Sequence, residues 1–218
     1  MGLKLYNFFR NSAGHRVRIA LHLKGLDFDY VSVDIRPASD TRAALHYSDV
    51  NPLGLIPALD HDGTIITQSI AIIDYRERVF PSPSLFPASP GTRAQALAFA
   101  LTIASEIHPL NNTRVHRFFN EELKLSPDQR DRWFREWNAR GCAALEAMLA
   151  ARPASPFCFG GAPSVADIAL VPQYYNLRRA GFDLSPYPRL GAVVAHCEAL
   201  PAFRKAAPEA RPDYVDGQ

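Results

Sequence analysis

The stretch Tyr6-Asn7-Phe8-Phe9-Arg10-Asn11-Ser12-Ala13-Gly14-His15-Arg16-Val17-Arg18-Ile19-Ala20-Leu21 reads as the end of a strand, a short polar turn and the start of a helix. Leu3, Leu5 and Asn7 alternate with Lys4 and Tyr6, which predicts a strand over 3–7. Asn11, Ser12 and Gly14 are turn and cap residues. Val17, Ala20, Leu21 and Lys24 recur at helical spacing and Gly25 is a natural stop, so a helix is expected over 14–24. A helix that begins in a polar turn at a strand's carboxyl end offers unpaired backbone N–H groups and the positive end of its dipole. Such a place stabilises an anion: a phosphate, a carboxylate or a thiolate. The stretch has no Gly-x-Gly-x-x-Gly and no Gly-Lys-Ser, which disfavours nucleotide phosphate, and no Cys-x-x-Cys, which excludes a built-in dithiol. An ordinary capped turn is the plain alternative.

The whole chain narrows the choice. Its 218 residues are enough for one large domain or two small ones, and an apolar fraction of 47% supports a proper core. A net charge of +2 is too small to argue for nucleic acid or an anionic membrane. No apolar run approaches the length that spans a bilayer, and the start Met1-Gly2-Leu3-Lys4-Leu5 has no signal-peptide core, so a cytoplasmic protein is expected. Cys142, Cys158 and Cys197 are widely spaced and odd in number, as suits reduced, inert thiols. The histidines form no metal pattern, so no metal is expected.

Beyond the opening turn, Tyr30-Val31-Ser32-Val33-Asp34 has the β-branched content of a strand, and residues 36–48 read as a loop with a short helix. Ala58-Leu59-Asp60 and Thr64-Ile65-Ile66-Thr67 flank His61-Asp62-Gly63, a hairpin signal. Ser69 is expected to cap a helix running to Val79. The order is β-α-β-α-β-β-α. Residues 81–91 then carry four prolines among the first ten, which continues neither a helix nor a central strand and reads as a linker. All that follows is helical in character: 92–106, an interruption at Pro109, 111–123, 127–151 opened by Pro127, and 168–179 opened by the capping box Ser164-x-x-Asp167. Shorter helices are expected over 188–200 and 202–207, with a frayed tail after Pro208.

Several of these stretches occur together in one family. Arg10…His15-Arg16-Val17-Arg18-Ile19-Ala20-Leu21, Asn51-Pro52, Ile56-Pro57-Ala58-Leu59, Gln68-Ser69-x-Ala71-Ile72-Ile73, His108-Pro109-Leu110-Asn111-Asn112, Leu170-Val171-Pro172-Gln173 and Asp183-Leu184-Ser185-Pro186-Tyr187-Pro188 cover nearly the whole chain. In this order they resemble a cytosolic glutathione transferase, closest to the zeta class of maleylacetoacetate and maleylpyruvate isomerases. The resemblance implies an α/β thioredoxin-like domain over 1–81, a linker over 82–91 and an all-α domain over 92–218. It implies glutathione as cofactor, a small dicarboxylate substrate, and a homodimer.

It also implies roles. A cis peptide bond at Ile56-Pro57 would leave the Ile56 backbone to pair with glutathione like an added strand. Gln68 and Ser69 would hold the γ-glutamyl carboxylate, with His108 and Asn112 also on the glutathione side. Asn11 and Ser12 would face the sulfur, with Arg10 beside them. The sequence departs from the family here: Asn11-Ser12-Ala13 stands where Ser-Ser-Cys is usual. Both Asn11 and Ser12 retain a donor for a thiolate, and neither is a good base. Arg10, Arg114 and Arg179 would hold the substrate carboxylates by bidentate pairing, while Arg16 and Arg18 read as structural or surface residues. The implied reaction is cis–trans isomerisation of maleylpyruvate or maleylacetoacetate in aromatic (phenylalanine/tyrosine or gentisate) catabolism. Two alternatives are a zeta-like transferase acting on small α-halo acids and a non-catalytic interaction protein with the same fold.

Overall fold

A computed structural model of the protein describes residues 2–34 and 46–215. The chain forms two compact units, one from Met1–Leu85 with Glu198–Gln218 and one from Phe86–Cys197. The first is built on four strands, β1 (Leu3–Asn7), β2 (Asp29–Ser32), β3 (Ala58–His61) and β4 (Thr64–Thr67), in the order β2-β1-β3-β4. β1 is parallel to β2 and antiparallel to β3, and β3 pairs antiparallel with β4. Three helices go with them: α1 (Ser12–Leu23), α2 (Tyr47–Val50) and α3 (Ser69–Val79). This is the predicted β-α-β-α-β-β-α order. Residues 36–45 of the expected loop lie outside the described residues.

The pleat explains the sheet's two faces. Leu3, Leu5 and Leu59 pack with Val17, Leu21 and Ile72 of α1 and α3. A second cluster gathers Phe8, Phe9, Val33, Tyr47, Ile56 and Ala58 around the carboxyl end of β1. The β3–β4 turn has positive φ at both Asp62 (50°) and Gly63 (89°), the geometry that two-residue hairpins require. β2 is shorter than expected, although the Val33 N–H still donates to the Asn7 carbonyl at 2.6 Å. Lys24 is buried at the end of α1. Its ammonium donates to the Phe80 and Pro83 carbonyls and pairs with Glu77 at 2.8 Å, tying the start of the proline-rich segment to α1.

The C-terminal segment differs from the expectation of a helical-domain tail that frays after Pro208. After α8 (Pro188–Glu198), α9 (Pro201–Ala206) and a 3₁₀ turn (Pro208–Ala210) belong to the first unit. Arg18 of α1 is fully buried and donates to the Ala206 carbonyl (2.8 Å) and, in the loop after β1, to the Phe9 carbonyl (3.1 Å). Asp213 accepts from the Phe9 N–H (3.2 Å), the Tyr30 hydroxyl (2.9 Å) and the Ser32 hydroxyl (2.7 Å). Tyr214 sets its ring edge-on to Phe9, 5.5 Å between centroids. Residues 211–215 are thus held by side chains from the other end of the chain.

The second unit is helical. α4 (Pro90–Leu101) starts inside the expected linker, because proline at the first helical position gives up no hydrogen bond. It continues into a π-helical turn (Thr102–Ile107) and a 3₁₀ turn (Pro109–Asn111), so the interruption at Pro109 is present. α5 (Thr113–Glu121), α6 (Pro127–Ala150) and α7 (Val165–Arg179) follow. Gly141 of α6 lies against Ile107; a β-carbon there would sit 2.5 Å from the Ile107 side chain. The Ser164–Asp167 capping box is formed, and the buried Asp167 carboxylate also accepts the Cys158 N–H at 2.8 Å.

Candidate functional site

The opening turn of α1 is a donor-rich corner. Asn11 is the helix cap, and its side-chain oxygen accepts the Gly14 N–H at 2.5 Å. That explains why α1 starts two residues earlier than its spacing predicts. With the oxygen committed, the amide NH₂ is what Asn11 has left to offer. Ser12, the first helical residue, is buried, and Arg10 is half-buried beside it. One turn on, His15 is buried; burial, then the charges of Arg18, Arg211 and Arg16, hold its imidazole well below the usual range. The same positive field favours an anion at the start of α1.

A second group of residues in this unit surrounds the start of α3. The Ile56–Pro57 peptide bond is cis, and both residues are buried. Neither the N–H nor the carbonyl of Ile56 has a hydrogen-bond partner among the described residues. Gln68 is exposed with φ at 67°, a conformation that costs a non-glycine residue about 1–3 kcal/mol and clusters at ligand sites. Ser69 is not the cap that the sequence predicts. It is the first residue of α3, its N–H has no acceptor within the helix, and Gln68 stands at the cap position without a side-chain bond.

Arg16 links the two groups. It is 1% exposed, and its Nη1 donates to Ser69 Oγ at 3.3 Å. Nothing in the sequence separates it from Arg18, because burial of a helix arginine has no local signature. The structure buries both and gives them different partners.

The second unit holds the other candidates. Asn112 caps α5, accepting the Arg114 N–H at 3.1 Å. Its NH₂ group lies 3.5 Å from His108 Nε2. Trp133 Nε1 donates to the Leu110 carbonyl at 2.8 Å and holds this short turn to α6. Arg114 and Arg179 are exposed, near the start of α5 and at the end of α7. Neither guanidinium has an ion-pair or hydrogen-bond partner among the described residues.

The three cysteines are buried, and burial pushes the Cys142 thiol up to about 12 and Cys158 well above its usual range. Among the described residues there is no group of three or more His, Cys, Asp or Glu side chains that could hold a metal. Nor is any helix long and apolar enough to cross a membrane.

A four-stranded mixed sheet with a cis-proline corner, followed by a helical unit, is the architecture of a glutathione transferase. "Glutathione S-transferase, N-terminal domain" matches residues 12–79, and "Glutathione S-transferase, C-terminal domain" matches residues 128–196. The chain belongs to the glutathione S-transferase family. Its likeness runs to the zeta class. It is 39% identical to a probable maleylacetoacetate isomerase of Vibrio cholerae, covering 98% of this chain and 99% of the relative. A holo structure of a bacterial maleylpyruvate isomerase in the zeta class superposes with a TM-score of 0.92 at 39% identity, covering 97% of this chain and all of the other. The maleylacetoacetate isomerase of Anaeromyxobacter dehalogenans, solved with glutathione bound in its active site, gives 0.86 at 38% identity over 98% of both chains.

Proposed function

We propose that this protein is a glutathione-dependent cis–trans isomerase of maleylpyruvate- or maleylacetoacetate-type diacids. The observation that carries the reading is the commitment of the Asn11 oxygen to the Gly14 N–H, which turns the departure from Ser-Ser-Cys into a donor at the start of α1. The residues present fit the cofactor. The unpaired Ile56 backbone suits the cysteinyl main chain, and Ser69 with Gln68 suits the γ-glutamyl carboxylate.

The chemistry supplied by glutathione when bound is reversible addition of its thiolate across the cis double bond, which permits rotation. Asn11 and Ser12 donate to the sulfur and lower the free energy of its anionic form, as does the helix dipole. Arg114 and Arg179, which have no acid partner among the described residues, hold the substrate's carboxylates, with Arg10 beside the turn stabilising the charge that develops on addition. His108 and Asn112, 3.5 Å apart, are further candidates for holding glutathione. The family setting supports a cytoplasmic homodimer in aromatic catabolism.

The test follows loss of maleylpyruvate ultraviolet absorbance with and without glutathione. Turnover that requires glutathione is expected. Turnover at the same rate without glutathione, or no turnover with either maleyl substrate, overturns the proposal.

A further inference from the structure

Arg16 is a cation with no anion at ion-pair distance among the described residues. Its guanidinium is inside the first unit, and its Nε and Nη2 atoms have no hydrogen-bond partner among the described residues. No carboxylate lies within ion-pair distance of it among those residues. Burial lowers its pKa to about 10, so it remains protonated at neutral pH. A charge enclosed this way is costly unless an opposite charge comes near. Arg18, two residues on, has three backbone carbonyls around it. Arg76 has Phe80, with its guanidinium 4.1 Å from the ring centre. Arg16 has a single partner among the described residues, the Ser69 hydroxyl.

That contact fixes the direction of Ser69. A hydroxyl has one proton and two lone pairs. With Arg16 Nη1 donating to the oxygen, the Ser69 proton is left for another acceptor at the first turn of α3, where the Ser69 N–H also has no helical acceptor. A donor hydroxyl, a free N–H, a helix start and a buried positive charge behind them make a site for a carboxylate.

We infer that Arg16 is a positioning residue for the ligand's γ-glutamyl carboxylate: it aims the Ser69 hydroxyl and supplies the positive charge that the carboxylate neutralises. The inference rests on the glutathione reading above. The contact of Arg16 with Ser69 acts at one end of the ligand.

The test compares two ligands by calorimetry, glutathione and γ-aminobutyryl-cysteinylglycine, which lacks only the γ-glutamyl α-carboxylate. Wild-type protein is expected to prefer glutathione clearly. R16M is expected to weaken glutathione binding about 10- to 100-fold, the scale of one charge-assisted hydrogen bond, and to leave binding of the analogue unchanged. R16K keeps the charge and loses the guanidinium geometry; its loss is expected to be smaller and again confined to glutathione. It serves as the measurement if R16M does not fold. Adding S69A to either variant is expected to cost less than S69A costs alone, since the two act as one unit. Equal weakening of both ligands, or of neither, overturns the inference and leaves the glutathione reading intact. Failure of wild-type protein to bind glutathione overturns both.

Discussion

Arginines on α1 and on α6 have opposite fates. Arg16 and Arg18 on α1 are buried and face no carboxylate at ion-pair distance among the described residues, and Arg18 makes its bonds to main-chain carbonyls of Phe9 and Ala206. On α6, Arg135 and Arg140 point to solvent and pair one turn back with Asp131 and Glu136, each at 2.6 Å. The distances on α6 are as short as those on α1, or shorter. Energetically the order is reversed. An exposed pair exchanges water for a partner at little net gain, whereas a buried donor leaves its acceptors stranded when it is removed.

The comparison is broken most severely by Arg18→Ala. It strands the Phe9 and Ala206 carbonyls and opens space under α9, and a loss of roughly 3 kcal/mol is expected in urea unfolding. A loss no larger than that of a surface substitution would mean that water fills the vacated site. Asp213→Asn comes next. It weakens three hydrogen bonds to one carboxylate and is expected to cost about 1–2 kcal/mol, with faster amide exchange at Phe9 as the local sign. Unchanged exchange at Phe9 would separate the tail from the turn that precedes Asn11. Arg140→Ala should do least: the thermal midpoint is expected to stay where it is, and a clear drop would show that the i,i+4 pair on α6 is more than a solvated contact.

The sequence was most legible where an element carries its own local cause. Asp62-Gly63 needs positive φ and announces the hairpin; Ser164 and Asp167 form their capping box three residues apart; Pro127 opens α6 as the first-turn rule predicts. Asn11 was readable as a turn residue, and its role as cap moved the helix start by two residues. Gln68 is less legible, because nothing in Thr67-Gln68-Ser69 marks a left-handed backbone, and the residue types alone point to Ser69 as the cap. The C-terminal return was not legible at all. Asp213 finds Phe9, Tyr30 and Ser32 at sequence separations of 204, 183 and 181, and no periodicity reports a partner that far away. Arg16 is the same case within the site, since Ser69 is 53 residues on.

The placement of Glu198–Gln218 in the first unit also sets an order of assembly. During synthesis, β1, α1 and the hairpin emerge first, yet the chain that covers Arg18 emerges only after all of Phe86–Cys197 has been made. At ordinary elongation rates of about 5–20 residues per second, the nascent first unit waits several seconds or longer with its guanidinium still in water. A ribosome stalled before Pro201 therefore carries a helical unit whose whole sequence has been made and a sheet unit that is not finished. A stretch translated after the helical unit completes the one translated before it.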